Sequence, residues 1–139
     1  AGTVLGAAQL ERAVAAGSRF VVSPGLTEPL AAAASEARVP FLPGIATAGE
    51  IMRGLDLGLD RFKFFPAEAA GGIAALKALA APFPDVRFCP TGGIAAESAM
   101  DWLALSSVSC VGGSWVVPPG ETGLTTVGTR ARAAAALGR

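Results

Sequence analysis

Short apolar runs alternate with longer alanine- and leucine-rich stretches along the whole chain, and the runs recur roughly every 20 residues. The apolar runs predict strands at residues 2–5, 19–23, 39–43, 61–65, 86–90 and 108–111. The stretches between them predict helices at residues 6–16, 27–37, 47–57, 72–81 and 95–105, with a last helix at 124–137. Strands and helices that alternate with short loops are typical of an α/β fold.

Local signals support the predicted helix ends. Thr47 followed by Glu50 predicts a capping box, and Thr27 with Pro29 in the first turn predicts an N-terminal cap. Two helices are followed by a glycine of the kind that ends a helix in the left-handed conformation, namely Gly17 and Gly58.

The predicted strands are apolar on both faces, as in "RFVVS" and "PFLPG". Continuous apolar strands indicate a parallel sheet that is covered on both sides. The chain of 139 residues holds six such βα units, whereas a closed (βα)8 barrel needs eight units and usually about 250 residues. The pattern therefore fits either an open doubly wound sheet or three quarters of a barrel.

Charge and hydropathy exclude several classes of protein. Eleven basic and eleven acidic residues balance, and the basic residues are scattered singly, which argues against nucleic acid or an anionic membrane as a partner. The sequence contains no run of about 20 apolar residues, so it predicts no membrane-spanning helix. The first residues also lack the basic segment of a signal peptide, and we expect a cytoplasmic protein.

Histidine is absent from the chain, so a Ser/His or Cys/His catalytic pair cannot form within it. The two cysteines, Cys89 and Cys110, lie in separate strand-like runs and not at the spacing of a metal site. We expect both to be buried thiols in a reducing compartment.

One lysine lies inside an aromatic run, "RFKFFPAE". Because side chains alternate across a strand, Lys63 shares a face with Arg61 and Phe65. Burial there lowers the pKa of a lysine, and a neutral amine attacks carbonyl groups, as Schiff-base catalysis requires. The alternatives are a lysine that extends its amine to solvent or one that pairs with a carboxylate such as Glu68.

Three loops share a pattern in which glycine follows a strand: "SPG", "PTGG" and "VGGS". Backbone N–H groups of such loops approach ligands closely, and in a barrel the loops after the last two strands usually bind phosphate. If the last two predicted strands of this chain are the last two strands of a barrel, four residues would bind a phosphate: Gly92, Gly93, Gly113 and Ser114. The alternative is ordinary glycine turns.

Three further residues follow predicted strands and could orient a small keto acid through hydroxyl or backbone groups: Thr3, Pro24 and Thr91. Each one alone is equally typical of a turn or a helix cap.

Six segments occur in the order and spacing of one enzyme family: "AGTVL", "SPGLTEP", "FLPGIAT", "RFKFFPAEAAGG", "VRFCPTGGI" and "CVGGSW". Over nearly its whole length the chain resembles the bacterial 2-keto-3-deoxy-6-phosphogluconate / 4-hydroxy-2-oxoglutarate aldolases. The resemblance implies a (βα)8 barrel, a homotrimer and a class I Schiff-base lyase that needs neither a metal nor another cofactor. It also implies cleavage of a phosphorylated keto acid to pyruvate and glyceraldehyde 3-phosphate.

The same resemblance assigns roles to individual residues. Lys63 matches the Schiff-base lysine, and Thr3 and Thr91 match the threonines around the carboxylate of pyruvate. Pro24 and Phe65 match residues that line the pocket. The phosphate-binding loops are matched by Gly92, Gly93, Gly113 and Ser114.

The resemblance further implies that residues 1–139 are a single domain, the C-terminal six units of such a barrel. The general acid/base Glu and a substrate-binding Arg of the family belong to two preceding units, and neither Glu28 nor Glu68 matches that Glu. Two other interpretations stay open. One is a catalytically impaired phosphate-binding remnant, and the other is a different phosphate-handling barrel in which Lys63 acts only through its charge.

Overall fold

Short parallel strands alternate with helices in the computed structural model, which describes residues 1–137. The strands are β1 (Val21–Val22), β2 (Phe41–Leu42), β3 (Gly44–Ile45), β4 (Arg61–Phe64) and β5 (Arg87–Pro90). The helices are α1 (Ala7–Ala15), α2 (Glu28–Glu36), α3 (Ala48–Asp56), α4 (Gly72–Ala80), α5 (Ala99–Leu103) and α6 (Leu124–Ala136). β1 pairs with β2, and β3, β4 and β5 form a second parallel sheet in that order. The predicted α/β fold with parallel strands is confirmed.

Pro43 divides the strand predicted at residues 39–43. Proline has no N–H to donate, so the sheet pairing changes sides at this residue. β2, before it, pairs with β1, and β3, after it, pairs with β4. The carbonyl of Pro43 accepts a hydrogen bond from the N–H of Lys63 at 2.8 Å. One extended segment therefore belongs to both sheets.

The first and last predicted strands are wrong as regular strands, although both segments pair with their neighbours. In the first, the N–H of Val4 donates to the carbonyl of Val22 at 2.9 Å. In the last, the pairing is reduced to two isolated parallel bridges, Phe88 with Val108 and Thr91 with Gly112. Irregular edges of this kind are common where a sheet ends.

The helix boundaries follow the prediction closely except in α5. The capping box is confirmed, since the N–H of Glu50 donates to the Thr47 hydroxyl at 3.3 Å and the Thr47 N–H donates to Glu50 at 2.9 Å. Thr27 occupies the N-cap of α2, but its side chain accepts no hydrogen bond there. Gly17 and Gly58 adopt the predicted left-handed conformation, with φ of 83° and 76°.

α5 begins at Ala99, four residues after the predicted start at residue 95. Ser98 explains the difference, because its hydroxyl donates to the carbonyl of Ala95 at 3.3 Å and accepts from the N–H of Ala95 at 3.2 Å. Serine competes in this way with the backbone hydrogen bonds of a first helical turn.

Two clusters of buried side chains form the core. One joins β3, β4 and β5 to α3, α4 and α5 and consists of Ile45, Ile51, Phe62, Phe64, Ala67, Leu76, Val86, Phe88, Ile94, Ala99 and Trp102. The other lies around β1, α1 and α2 and consists of Val4, Leu10, Val21, Leu30, Ala31, Ala34 and Phe41. Leu26 and Leu59 contact both clusters. None of the helices within residues 1–137 has the length and apolar character needed to span a membrane.

Candidate active site

Lys63 lies in the middle of the second sheet. Its strand, β4, pairs with β3 and β5, so that Lys63 has Gly44 on one side and Cys89 on the other. Phe62 and Phe64 are fully buried in the core, and the alternation of a strand directs Lys63 to the opposite face, where it is half-buried. The predicted alternation is confirmed.

The amine of Lys63 lies 4.3 Å from the centre of the Phe65 ring. Burial lowers the pKa of Lys63 below its usual 10.5, and the neighbouring Cys89 thiol opposes this shift. A cation over an aromatic face is stabilised modestly, whereas desolvation acts on the charged form alone. The result is an amine that loses its proton more readily than an exposed lysine does.

The predicted alternative of an ion pair between Lys63 and Glu68 is absent from residues 1–137. The ion pairs there join Asp60 to Arg61 and Glu121 to Arg130. Glu68 instead accepts a hydrogen bond from the indole N–H of the buried Trp102 at 3.2 Å.

Thr91 lies at the end of β5, beside the end of β4. Its N–H donates to the carbonyl of Phe64 at 3.0 Å, and its carbonyl accepts from the N–H of Ala67 at 2.8 Å. These two bonds fix the start of the glycine loop relative to the strand that carries Lys63. The hydroxyl of Thr91 donates to the carbonyl of Cys89 at 3.3 Å and lies 3.8 Å from its sulfur.

The two glycine loops predicted to bind phosphate adjoin each other. Gly92 and Gly93 are both left-handed, with φ of 106° and 83°. The second loop starts at Gly112, which forms a bridge with Thr91, and it continues through Gly113 to the exposed Ser114.

Both loops contain free backbone donors. In the part of the chain that the structure describes, no protein acceptor takes the N–H groups of Gly92, Gly93, Gly113 or Ser114. Successive N–H groups in left-handed glycines form concave sites that suit anions.

Pro24 reaches the site through a close backbone contact. The carbonyl of Pro24 lies directly against the α-carbon side of Gly44, and Gly44 is the sheet partner of Lys63. Any side chain at position 44 would collide with this carbonyl. Thr3 lies farther away, exposed on the segment that flanks β1. The structure thus gathers the predicted residues around β4 and β5 and leaves Thr3 at the other side of β1.

The prediction that both cysteines are buried is wrong. Cys89 is half-buried and Cys110 is exposed. Cys89 lies on the sheet face that carries Lys63, and this face is opposite to the one packed on the core. Sequence reasoning also missed Gly44 and Cys89 as neighbours of Lys63, although the proline–glycine pair after the third apolar run was a visible signal.

A groove of about 540 Å³ lies at the other end of β5 and is lined in part by Lys77 and Arg87. The guanidinium group of Arg87 already donates to the carbonyl of Pro84 at 2.7 Å. Residues 1–137 contain no group of three or more side chains that could hold a metal ion.

Comparison with known proteins gives consistent matches. The family model for KDPG (2-keto-3-deoxy-6-phosphogluconate) and KHG (4-hydroxy-2-oxoglutarate) aldolases matches residues 1–127. The KHG/KDPG aldolase of Escherichia coli is 59% identical over 118 residues, which are 85% of this chain and 55% of that protein. The 2-dehydro-3-deoxy-phosphogluconate aldolase of Zymomonas mobilis is 53% identical over 139 residues, which are 100% of this chain and 67% of that protein. The chain therefore spans about half to two thirds of the length of these relatives.

Solved structures of related proteins have the same fold. The KDPG aldolase of Zymomonas mobilis ZM4 with 3-phosphoglycerate superposes with a TM-score of 0.93 at 53% identity, covering 99% of this chain and 66% of that one. The KDPG aldolase of Legionella pneumophila, with pyruvate captured as a covalent carbinolamine, superposes with a TM-score of 0.82 at 46% identity, covering 94% and 61%. These likenesses indicate a TIM-barrel-like α/β fold.

Proposed function

Because this chain belongs to the KDPG and KHG aldolase family, we propose that it carries the Schiff-base centre of a class I aldolase. The substrate is 2-keto-3-deoxy-6-phosphogluconate, cleaved to pyruvate and glyceraldehyde 3-phosphate, and the enzyme also acts on 4-hydroxy-2-oxoglutarate. One observation carries this proposal above the others. The amine of Lys63 lies half-buried on an aromatic ring, with its pKa lowered and no carboxylate of residues 1–137 paired to it.

The chemistry follows from a neutral amine at this position. Lys63 attacks the C2 carbonyl to form a carbinolamine, and loss of water gives a protonated imine. Removal of the C4 hydroxyl proton then breaks the bond between C3 and C4, and the imine accepts its electron pair. The resulting enamine is protonated at C3 and hydrolysed to pyruvate. The carbinolamine captured in the Legionella pneumophila aldolase supports the first step.

The residues around Lys63 suit a small keto acid. Thr91 is fixed by backbone bonds at the end of the neighbouring strand, and its hydroxyl can turn towards a carboxylate. Phe65 provides an apolar wall below the amine. Pro24 lies next to β3, with its carbonyl against Gly44. We assign the pyruvyl carboxylate to Thr91 and, from the family resemblance, to Thr3, which closure of the barrel would bring towards Lys63 from the segment beside β1.

The phosphate belongs to the two glycine loops in this proposal. The free N–H groups of Gly92, Gly93, Gly113 and Ser114 support this assignment, because backbone donors without protein acceptors bind oxyanions well. The Zymomonas mobilis relative was solved with 3-phosphoglycerate, a small phosphorylated acid.

We assign the general acid/base to the part of the family's barrel that lies outside these 139 residues. We propose that the whole protein is a closed (βα)8 barrel that assembles as a homotrimer and takes its acid/base Glu and substrate Arg from other units. General acid–base groups usually contribute about 10²–10⁴-fold to a rate. The 139-residue chain alone should therefore form the imine but cleave substrate more slowly by about that factor.

The experiment is incubation with pyruvate and borohydride, followed by intact-mass measurement and peptide mapping. A single reduced adduct on the peptide that contains Lys63 is expected, with none on Lys77, the other lysine, which lies on α4. Lys63→Arg should abolish the adduct and Lys77→Arg should leave it intact. Equal labelling of both lysines in the folded chain would contradict the proposal.

The pH dependence of the same reaction gives a second test. Because burial lowers the pKa of Lys63, the rate of adduct formation should rise with pH to a midpoint below 10.5. Turnover distinguishes an active aldolase from a catalytically impaired remnant. If the chain forms the adduct but cleaves no substrate, even when it is joined to the rest of its sequence, it is a phosphate-binding remnant.

A further inference from the structure

The last extended segment contains one residue too many for a regular strand. Phe88 pairs with Val108 and Thr91 pairs with Gly112, so three steps along β5 correspond to four steps along the segment. Val108 and Val111 both pack on the same core cluster, although residues on one face of a regular strand are two apart. The segment therefore contains a β-bulge between these two valines.

The bulge places one extra residue in the last segment relative to β5. Ser109 and Cys110 lie between the valines that face the core, and both are exposed on the other side. Hydrogen bonds hold the segment on either side of them, from the N–H of Ser109 to Phe88 at 3.0 Å and from the N–H of Gly112 to Pro90 at 2.8 Å.

This arrangement brings two thiols together. Between the two bridges, β5 contributes Cys89 and Pro90 and the last segment contributes residues 109–111. Cys89 shares the sheet face of its partner Lys63. Cys110 lies between the same two bridges as Cys89, on the adjacent segment, and each thiol acts on the pKa of the other. Adjacent strands lie about 4.8 Å apart, and the α-carbons of a disulfide lie about 4.4–6.8 Å apart, so neighbouring residues on two paired segments are within the range of a cross-link.

We propose that Cys89 and Cys110 form an oxidisable dithiol, which a peroxide converts into a disulfide between β5 and the last extended segment. Such a bond would join the strand that leads to Thr91 to the segment that leads to Gly113. Oxidation would thereby fix the spacing of the two glycine loops. Neither thiol forms a bond to the substrate in imine formation, although Cys89 is the sheet partner of Lys63.

The two thiols have different roles in the oxidation. The neighbouring Cys89 thiol lowers the pKa of Cys110 to about 7 against the opposing effect of burial, whereas the Cys110 thiol and burial raise the pKa of Cys89. The Cys110 thiolate is thus the group that attacks an oxygen of the peroxide, which breaks the O–O bond and leaves Cys110 as a sulfenic acid. The sulfur of Cys89 then attacks the sulfur of Cys110, giving up its proton and releasing water. In balance, two thiols and one hydrogen peroxide give one disulfide and two waters.

The test is treatment of the full chain with hydrogen peroxide at dilute protein concentration, followed by peptide mapping without reduction. The expected product is one linked pair of peptides containing Cys89 and Cys110, two hydrogen atoms lighter than the free pair, and restored by dithiothreitol. The rate of its formation should rise with pH around a midpoint near 7. Disulfide-linked dimers of the chain, or Cys110 oxidised to sulfinic acid while Cys89 stays reduced, would overturn the proposal.

Two single variants separate the roles of the thiols. Cys89→Ser should leave Cys110 as a sulfenic acid that dimedone captures, and Cys110→Ser should leave Cys89 unreactive towards peroxide. Reaction of Cys89 in the second variant at the wild-type rate would contradict the assignment. The wild-type map decides the question by itself if either variant fails to fold.

Discussion

The glycine loops at residues 91–93 and 112–114 have similar sequences, but the structure holds them in different ways. The first is bound by the backbone, through the hydrogen bonds of Thr91 with Phe64 and Ala67 and of Gly92 with the N–H of Glu68 at 3.0 Å. The second has one backbone bond at its start, and Gly113 then lies against the ring of Trp115.

Each loop also depends on one of the two tryptophans in the chain. Trp102 is buried in the core and donates to Glu68, which packs against Gly93. Trp115 is half-buried and contacts Gly113 with its ring alone. The two loops are equally exposed, so the difference lies in how they are held: backbone hydrogen bonds and a buried tryptophan fix the first, whereas the second rests mainly on a half-buried ring.

The largest expected effect is that of Trp102→Ala. Removing a fully buried tryptophan leaves a cavity, and the free energy of unfolding should fall by about 3–5 kcal/mol. Trp102→Phe keeps most of the ring but removes the donor to Glu68, so its loss should be smaller, about 1–2 kcal/mol. Urea denaturation measures both. Equal losses for the two variants would show that the bond to Glu68, and not the packing, stabilises this loop.

Gly93→Ala comes next, because it combines backbone strain with a collision. A β-carbon at this position would lie 2.7 Å from the Cγ of Glu68. Gly17 is the matched control, since it has the same φ of 83° and no atom within 4 Å of an added β-carbon. We expect a loss of about 1 kcal/mol for Gly17→Ala and about 2–4 kcal/mol for Gly93→Ala. The same loss in both would mean that the Glu68 side chain moves aside freely.

Trp115→Ala should act more locally. Because the ring is half-buried at the edge of the core, the free energy of unfolding should fall by about 1–2 kcal/mol. Amide hydrogen exchange should accelerate at residues 112–116 and stay unchanged at residues 91–93. Faster exchange in both loops would show that they are one cooperative unit, and the contrast between them would fail.

The smallest effect concerns the loop after β3, which is held by a carboxylate and contains no glycine pair. Burial acts to raise the pKa of Glu50, but hydrogen bonds from Ala46 and Thr47, aided by Arg53, outweigh it and lower the pKa below 4.5. A lowered pKa in the folded state stabilises the fold above pH 4.5, and this contribution is lost as the pH falls through the lowered value.

Glu50→Gln should therefore lower the free energy of unfolding at pH 7 by up to about 1 kcal/mol and by less at pH 3. Urea denaturation at the two pH values measures the difference. A loss that is the same at both would show that the charge of Glu50 contributes nothing.

Much of the fold could be predicted because its signals are local. The capping box of Thr47 and Glu50 needs only four residues, and the left-handed Gly17 and Gly58 mark helix ends by their own lack of a side chain. The orientation of Lys63 likewise follows from strand alternation, because Phe62 and Phe64 point into the core and Lys63, between them, points to the opposite face.

What could not be predicted depends on contacts between distant residues. The exposure of Cys110 results from a bulge that is defined only by its pairing with β5. The bond between Trp102 and Glu68 joins residues 34 positions apart, so no local pattern announces it. The switch of sheets at Pro43 likewise depends on which strand lies on each side of it.

Leu26 and Leu59 contact both buried clusters, and this has a consequence for how the chain loses its structure. Two cores that share side chains cannot separate without exposing the same apolar surface on each. Opening of either half therefore weakens the other, and the amides of β1 and β4 should become accessible through one common event. The molecule would behave as a single folding unit with two centres, joined at the extended segment that passes from one sheet to the next.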